Sequence, residues 1–339
     1  MGCDCDGGGN RYSTQIDLNK RPELAEIFPN RSKLMPGVCS IQLLKETTPW
    51  IVCPRRLLVL GRERVGERTH QKISESKTLS VLGYQSGTKL GVWNEVKIKY
   101  KETVNDLLVS FDYTFDYVLM PIGSVSESEI ISEFGGNWNT WQQVFQKGGY
   151  TIAKRGNEYF IEDCPLGFPS IIEIMTSSTS GGNKRKGTTI EMAFADAMLG
   201  KPHNAPGINY RQVWARMASQ LIAKSEIALN WNGKTIWVVQ DVLVDYISAS
   251  TALNVRQFLA KNASEVNLLS FSYGDEFKNP KGVIDLSDVE LFAGQISSAP
   301  KDFQKPSFQD IIRSPICPPL SALKKALAKR SPINQVIVP

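Results

Sequence analysis

From Asp106 to Met120 apolar and polar residues alternate almost without interruption. Leu107, Val109, Phe111, Tyr113, Phe115, Tyr117 and Leu119 occupy the odd positions, and Ser110, Asp112, Thr114 and Asp116 the even ones. A period of two predicts a β-strand, one long strand or a broken pair, with Asp112 and Asp116 on the same face. A second apolar run, Ser170-Ile171-Ile172-Glu173-Ile174-Met175-Thr176, predicts a short buried strand carrying a single acid.

The rest of the chain reads around these two segments. Ser40 to Lys45 and Trp50 to Val52 flank a polar turn and predict a hairpin whose outer ends bring Cys39 and Cys53 together. Residues 55–80 read as helical or irregular, and a short helical stretch lies around Pro22 to Ile27. Residues 121–168 read as an insertion with a helix over 126–134 and a hairpin pairing 150–153 with 159–161. Thr188 followed by Glu191 has capping-box spacing and predicts a helix through Leu199. Tyr210, Val213, Trp214, Met217 and Leu221 give the next helix its apolar stripe. Asn232-Gly233 predicts a turn, Thr235 to Val239 a buried strand, and residues 296–339 a basic, Pro-rich surface tail.

Composition narrows the chemistry. With 339 residues and 42% hydrophobic content the chain can bury a sizeable core. No apolar run approaches the ~20 residues of a membrane-spanning helix. The N-terminus lacks a signal-peptide layout, so a cytoplasmic protein without membrane contact is expected. A net charge of +5 is compatible with a polyanionic partner. With only two histidines, His70 and His203, mechanisms built on several histidines are disfavoured, and carboxylates with a hard metal ion are the expected machinery.

A strand bearing Asp beside a strand bearing Glu is how metal-dependent nucleases present two carboxylates to one Mg²⁺. Such an ion stabilises charge on a phosphate and lowers the pKa of an attacking water. Many such sites carry a Lys two residues after the Glu; that position is Met175, which supplies no charge. Lys184 or Lys186 from the following loop are the candidate cations, and Glu191 a further carboxylate. The competing reading makes Asp112, Asp116 and Glu173 ordinary polar residues of a half-exposed sheet. An apolar-flanked Glu173 requires a metal or an ion pair, and either satisfies it.

Several segments together resemble the NotI-like restriction endonucleases. These are Gly37-Val38-Cys39-Ser40-Ile41 with Trp50-Ile51-Val52-Cys53-Pro54-Arg55-Arg56, Asp116-Tyr117-Val118-Leu119, and Ile172-Glu173-Ile174-Met175-Thr176 before the Ile190 to Phe194 helix. The helix Trp214 to Leu221, ahead of a Trp-Val-Val strand, follows in the same order. The resemblance spans roughly residues 37–245. It implies an α/β fold, with a PD-(D/E)XK core of mixed central sheet flanked by helices and an N-terminal cysteine-metal subdomain.

The domains so implied are a cysteine-metal and DNA-contacting region over 1–100, the nuclease core over 101–295, and the tail. The implied activity is that of a type II restriction endonuclease, a homodimer making Mg²⁺-dependent cuts in double-stranded DNA at a short palindrome. Asp116 and Glu173 become the Mg²⁺ ligands, with Asp112 the rival first acid and Met175 at the position usually held by Lys or Gln. Lys184, Arg185 and Lys186 become DNA contacts. Cys39 and Cys53 match half of a four-cysteine site for structural Fe or Zn, and Cys3 and Cys5 are the candidates for the other half. The alternatives are a catalytically decayed cysteine-metal DNA-binding protein and a repair or mobile-element nuclease on the same core.

Overall fold

Two long antiparallel strands, β1 (Lys89–Val104) and β2 (Leu107–Ser126), form the spine of the molecule in the computed structural model. The structure describes residues 3–4, 15–41, 48–61, 69–179, 182–183, 185, 187–204, 207–250, 255–274, 286–296 and 317–338. Asn105 and Asp106 join the two strands at φ of 49° and 61°. This left-handed turn pair suits Asn and Asp and matches the strands' twist.

Among the described residues nine strands make one mixed sheet. After β2 come the hairpin β3 (Ile152–Arg155) and β4 (Glu158–Pro165), then β5 (Ser170–Ile174), β6 (Lys234–Gln240), β7 (Val266–Tyr273), β8 (Leu286–Gly294) and β9 (Asn334–Ile337). In space the order runs β8-β7-β6-β5-β2, with β1 and β9 beyond β2 and the β4-β3 hairpin on its C-terminal half. β5, β6 and β7 are mutually parallel, whereas β2 runs antiparallel to β5.

Helices cover both faces, as parallel strands buried on two sides require. One face packs Leu90, Val92, Leu119, Ile172, Ile236 and Val238 against Leu79 and Leu82 at the end of α1 (Thr69–Val81). The other face takes α5 (Tyr210–Asn230), α6 (Asp241–Ser250) and α7 (Leu320–Leu327). Between β2 and β3 stand α2 (Glu127–Phe134) and α3 (Trp138–Lys147); α4 (Ile190–Met198) follows β5. No helix among the described residues is long and apolar enough to cross a membrane.

Four expectations change. The alternation in β2 holds only to Phe115: Phe111 and Phe115 share a core cluster with Val118, Met120 and Ile122, while Tyr117 and Leu119 join the opposite one. In β1 the same shift separates Trp93 from Val96, at Glu95 with φ 49°. An irregularity of this kind re-aims side chains, so Asp112 and Asp116 part company. The helix at 190 is capped by Thr189, which accepts from the Met192 N–H, so Thr188 and Glu191 form no capping box. The capping box belongs to Ser126 and Glu129, at the start of α2.

The fourth change concerns the C-terminal segment, only part of which is described. Leu323 and Leu327 of α7 are buried in the core, and β9 adds a strand to β1, so residues 317–338 are built into the fold rather than laid over its surface.

Candidate active site

Glu173 sits next to the last residue of β5, between Ile172 and Ile174, with 2% of its surface exposed. Oε1 is closed to solvent and the side chain is almost fully covered, so a charge there must be met chiefly by protein. The partner is Lys224 of α5, itself 3% exposed. Its ammonium donates to Glu173 Oε2 at 2.6 Å and to the carbonyl of Thr114 at 2.8 Å. The Nζ also lies 5.5 Å from the Phe115 ring centre and 5.9 Å from that of Trp237, where two aromatic faces favour a cation. Among the described residues Glu173 Oε1 is buried with no hydrogen-bond partner.

β2 and β5 are paired at Ser170–Leu119, Ile171–Val118 and Ile172–Tyr117, and their ladder ends there. At the end of the ladder Asp116 Oδ2 accepts the N–H of Ile174 at 2.8 Å. The carboxylate thus replaces the missing strand bond and stands beside Glu173. Burial pushes the Glu173 carboxyl up to about 8; the attraction of Lys224 opposes this and the negative charge of Asp116 adds to it. Burial and the neighbouring acid together favour either a proton on Glu173 or a cation beside it, and Lys224 is the cation bonded there.

The other expected residues fall elsewhere. Asp112 is exposed, its carboxylate 3.5 Å from Lys97 and 3.6 Å from Lys99. Of the two candidate first acids, Asp116 is the one beside Glu173. Met175 is half-buried, packs with the cluster of Trp237 and Leu243, and donates its N–H to the Val238 carbonyl at 2.9 Å. Glu191 is half-exposed on the first turn of α4, and among the described residues no hydrogen bond or ion pair joins it to Asp116 or Glu173. Arg185 is exposed, whereas Lys184 and Lys186 lie outside the described residues.

Lys224 escaped the sequence reading, although the signal was present. Met217, Leu221 and Ala228 line one side of α5, and Lys224 falls at the spacing of that apolar stripe. A lysine on the buried side of a helix requires an anion in the core.

The ends of the cysteine hairpin pair as expected, while its residues 42–47 lie outside the described residues. Ser40 pairs with Ile51 and Ile41 with Trp50, and the N–H groups of Val52 and Cys53 both bond to the Cys39 carbonyl, at 2.9 and 3.1 Å. The backbone of Cys3 lies opposite Gly37 in a two-residue pairing, and Cys5 lies outside the described residues. Among the described residues no group of three or more His, Cys, Asp or Glu side chains is arranged to hold a metal. Cys164 is buried, its thiol pushed up to about 12 by burial.

The hairpin is fixed to the strands that carry the acids. Gln240 at the end of β6 accepts the Ile51 N–H and donates to the Pro49 carbonyl, both at 2.8 Å. Just past β5, Thr176 Oγ1 donates to the Val52 carbonyl at 3.0 Å and the Ser177 N–H to that of Ile51 at 3.1 Å.

No protein-family model matches the chain, and no curated protein matches it in sequence.

Proposed function

We propose that this chain is a Mg²⁺-dependent DNA endonuclease with a PD-(D/E)XK core, acting as a type II restriction enzyme. One observation carries the reading: Asp116 and Glu173 meet where two antiparallel strands separate, with a buried Lys224 bonded to the glutamate. The surrounding order supports it. The antiparallel set β1-β2-β5 is followed by helices α4 and α5 and then by β6, parallel to β5.

The residues fit a hard divalent ion. Mg²⁺ takes one or two protein carboxylates and completes its shell with water and phosphate, so two acids suffice. The unsatisfied Glu173 Oε1 and the Asp116 carboxylate would hold it. When bound, the ion supplies charge for the scissile phosphate and acidifies a water. Lys224 takes the part expected of a lysine at position 175. Its ammonium keeps the Glu173 carboxylate oriented and places a positive charge where negative charge gathers on phosphorus. The reaction class is attack of water on phosphorus with departure of the 3′ oxygen.

Cys39 and Cys53, joined by the hairpin, would form half of a structural Fe or Zn site completed by Cys3 and Cys5, and a homodimer would address both strands of a palindrome. The reading of a decayed nuclease rests on Met175. End analysis separates the two. An end-labelled duplex incubated with the protein and Mg²⁺ is expected to yield 5′-phosphate and 3′-hydroxyl termini at fixed positions. Intact duplex, bound but uncut, favours the decayed protein; scattered cuts favour a repair or mobile-element nuclease.

A further inference from the structure

β9 covers the outer edge of β1 only over Lys89 to Val92, and beyond this no other described strand pairs with that edge. Along it lies an open cleft of about 470 Å³ between β1 and α7. Lys97 and Lys99 stand on the strand side, and Lys325 of α7 and Lys329, two residues past its end, on the other. All four lysines are exposed. Glu95 and Glu102 flank the stretch on the same strand without lining the cleft. Among the described residues the carboxylate ion-paired with these lysines is Asp112.

We propose that this cleft is a track for the phosphate backbone of duplex DNA, an inference that rests on the nuclease reading. Two rows of exposed lysines with long, adjustable stems suit an extended polyanion, which they neutralise without regard to sequence. A small anion would instead call for convergent, buried donors, and the cleft walls offer none. Position also favours the assignment. Lys97 pairs across the ladder with Thr114, whose carbonyl accepts from Lys224, the partner of Glu173. A backbone lying along β1 therefore runs one strand spacing from Asp116 on β2 and two from Glu173 on β5. Asp112 offsets part of the charge and so moderates binding.

The test is duplex binding by the full chain, followed by fluorescence anisotropy across a salt series with Ca²⁺ in place of Mg²⁺. A variant with Lys97, Lys99, Lys325 and Lys329 all changed to Gln is expected to bind two unrelated duplexes about tenfold or more weakly. The slope of log affinity against log salt should shrink by about three to four, near one for each phosphate no longer neutralised. Asp112→Asn, which touches neither core nor catalytic acids, is expected to bind about threefold more tightly. If the fourfold variant fails to fold, Asp112→Asn still decides: unchanged affinity overturns the track. Unchanged affinity and slope in the fourfold variant overturn it as well, while leaving the nuclease reading intact. Failure of the unaltered protein to bind any duplex overturns both.

Discussion

Lys224 on helix α5 donates to Glu173 on strand β5 at 2.6 Å, across 51 residues of chain and inside the core. An ion pair in such a place is a poor device for stability, because dehydrating two charges offsets most of their attraction. Its presence is better explained by the work the two groups do together, with Asp116 beside them. If Lys224 supplies the charge that position 175 lacks, Lys224→Met should cut DNA at least ~100-fold more slowly. Duplex affinity should stay within about twofold, since the ammonium is buried and bonded to Glu173 and Thr114 rather than exposed to the DNA backbone. Single-turnover cleavage and anisotropy on the same preparation measure the two quantities.

Asp116 has two roles that substitutions can separate. Its Oδ2 holds the Ile174 N–H at 2.8 Å, and on the proposed reading its charge would also serve the ion. Asp116→Asn keeps an acceptor and loses the charge; it should melt near the unaltered protein yet fail to cleave. Asp116→Ala should lose cleavage and also about 1 kcal/mol of stability, the net worth of the backbone bond. Urea denaturation of both variants gives the comparison.

Glu173 makes stability depend on pH. In the fold its carboxyl is raised from 4.5 to about 8, chiefly by burial, so between these values the native state holds a proton that the unfolded chain releases. Its contribution is therefore complete below about pH 4.5 and is lost as pH rises through about 8. The melting temperature of the metal-free protein should fall across this window, and less so in Glu173→Gln. Mg²⁺ competes with the same proton, so the rising limb of cleavage activity should move to lower pH as Mg²⁺ is increased.

Gln240 binds the cysteine hairpin to the sheet through Ile51 and Pro49. Gln240→Leu leaves a buried N–H and a buried carbonyl without this partner and should cost about 2–3 kcal/mol by chemical denaturation. Because the same hairpin is bonded to Thr176 and Ser177 just past Glu173, cleavage should weaken along with stability.

What the sequence made legible follows period and burial. β2, β5, β6 and helix α5 were readable from apolar spacing, and with them Asp116 and Glu173 as strand-borne acids; α4 was readable from a capping signal one residue away from the cap that forms. β1 was not assigned: its C-terminal half alternates lysine and glutamate with apolar residues, since a solvent-facing strand is polar on that side by need. The swap of faces at Asp116 depends on a left-handed Glu95 on another strand, a tertiary event without a local signature. Lys224 was within reach as a charged residue in an apolar stripe. Which anion it meets is decided by packing α5 on β5, which no local pattern encodes.

The most direct measurement is digestion of phage DNA with Mg²⁺ by the unaltered protein, run beside an Asp116→Asn, Glu173→Gln double variant. Discrete bands from the unaltered protein, absent with the variant and with chelator, are the expected result. The same bands from both proteins, or none from a folded protein that binds the DNA, would contradict the assignment of these acids as the catalytic centre of a site-specific nuclease.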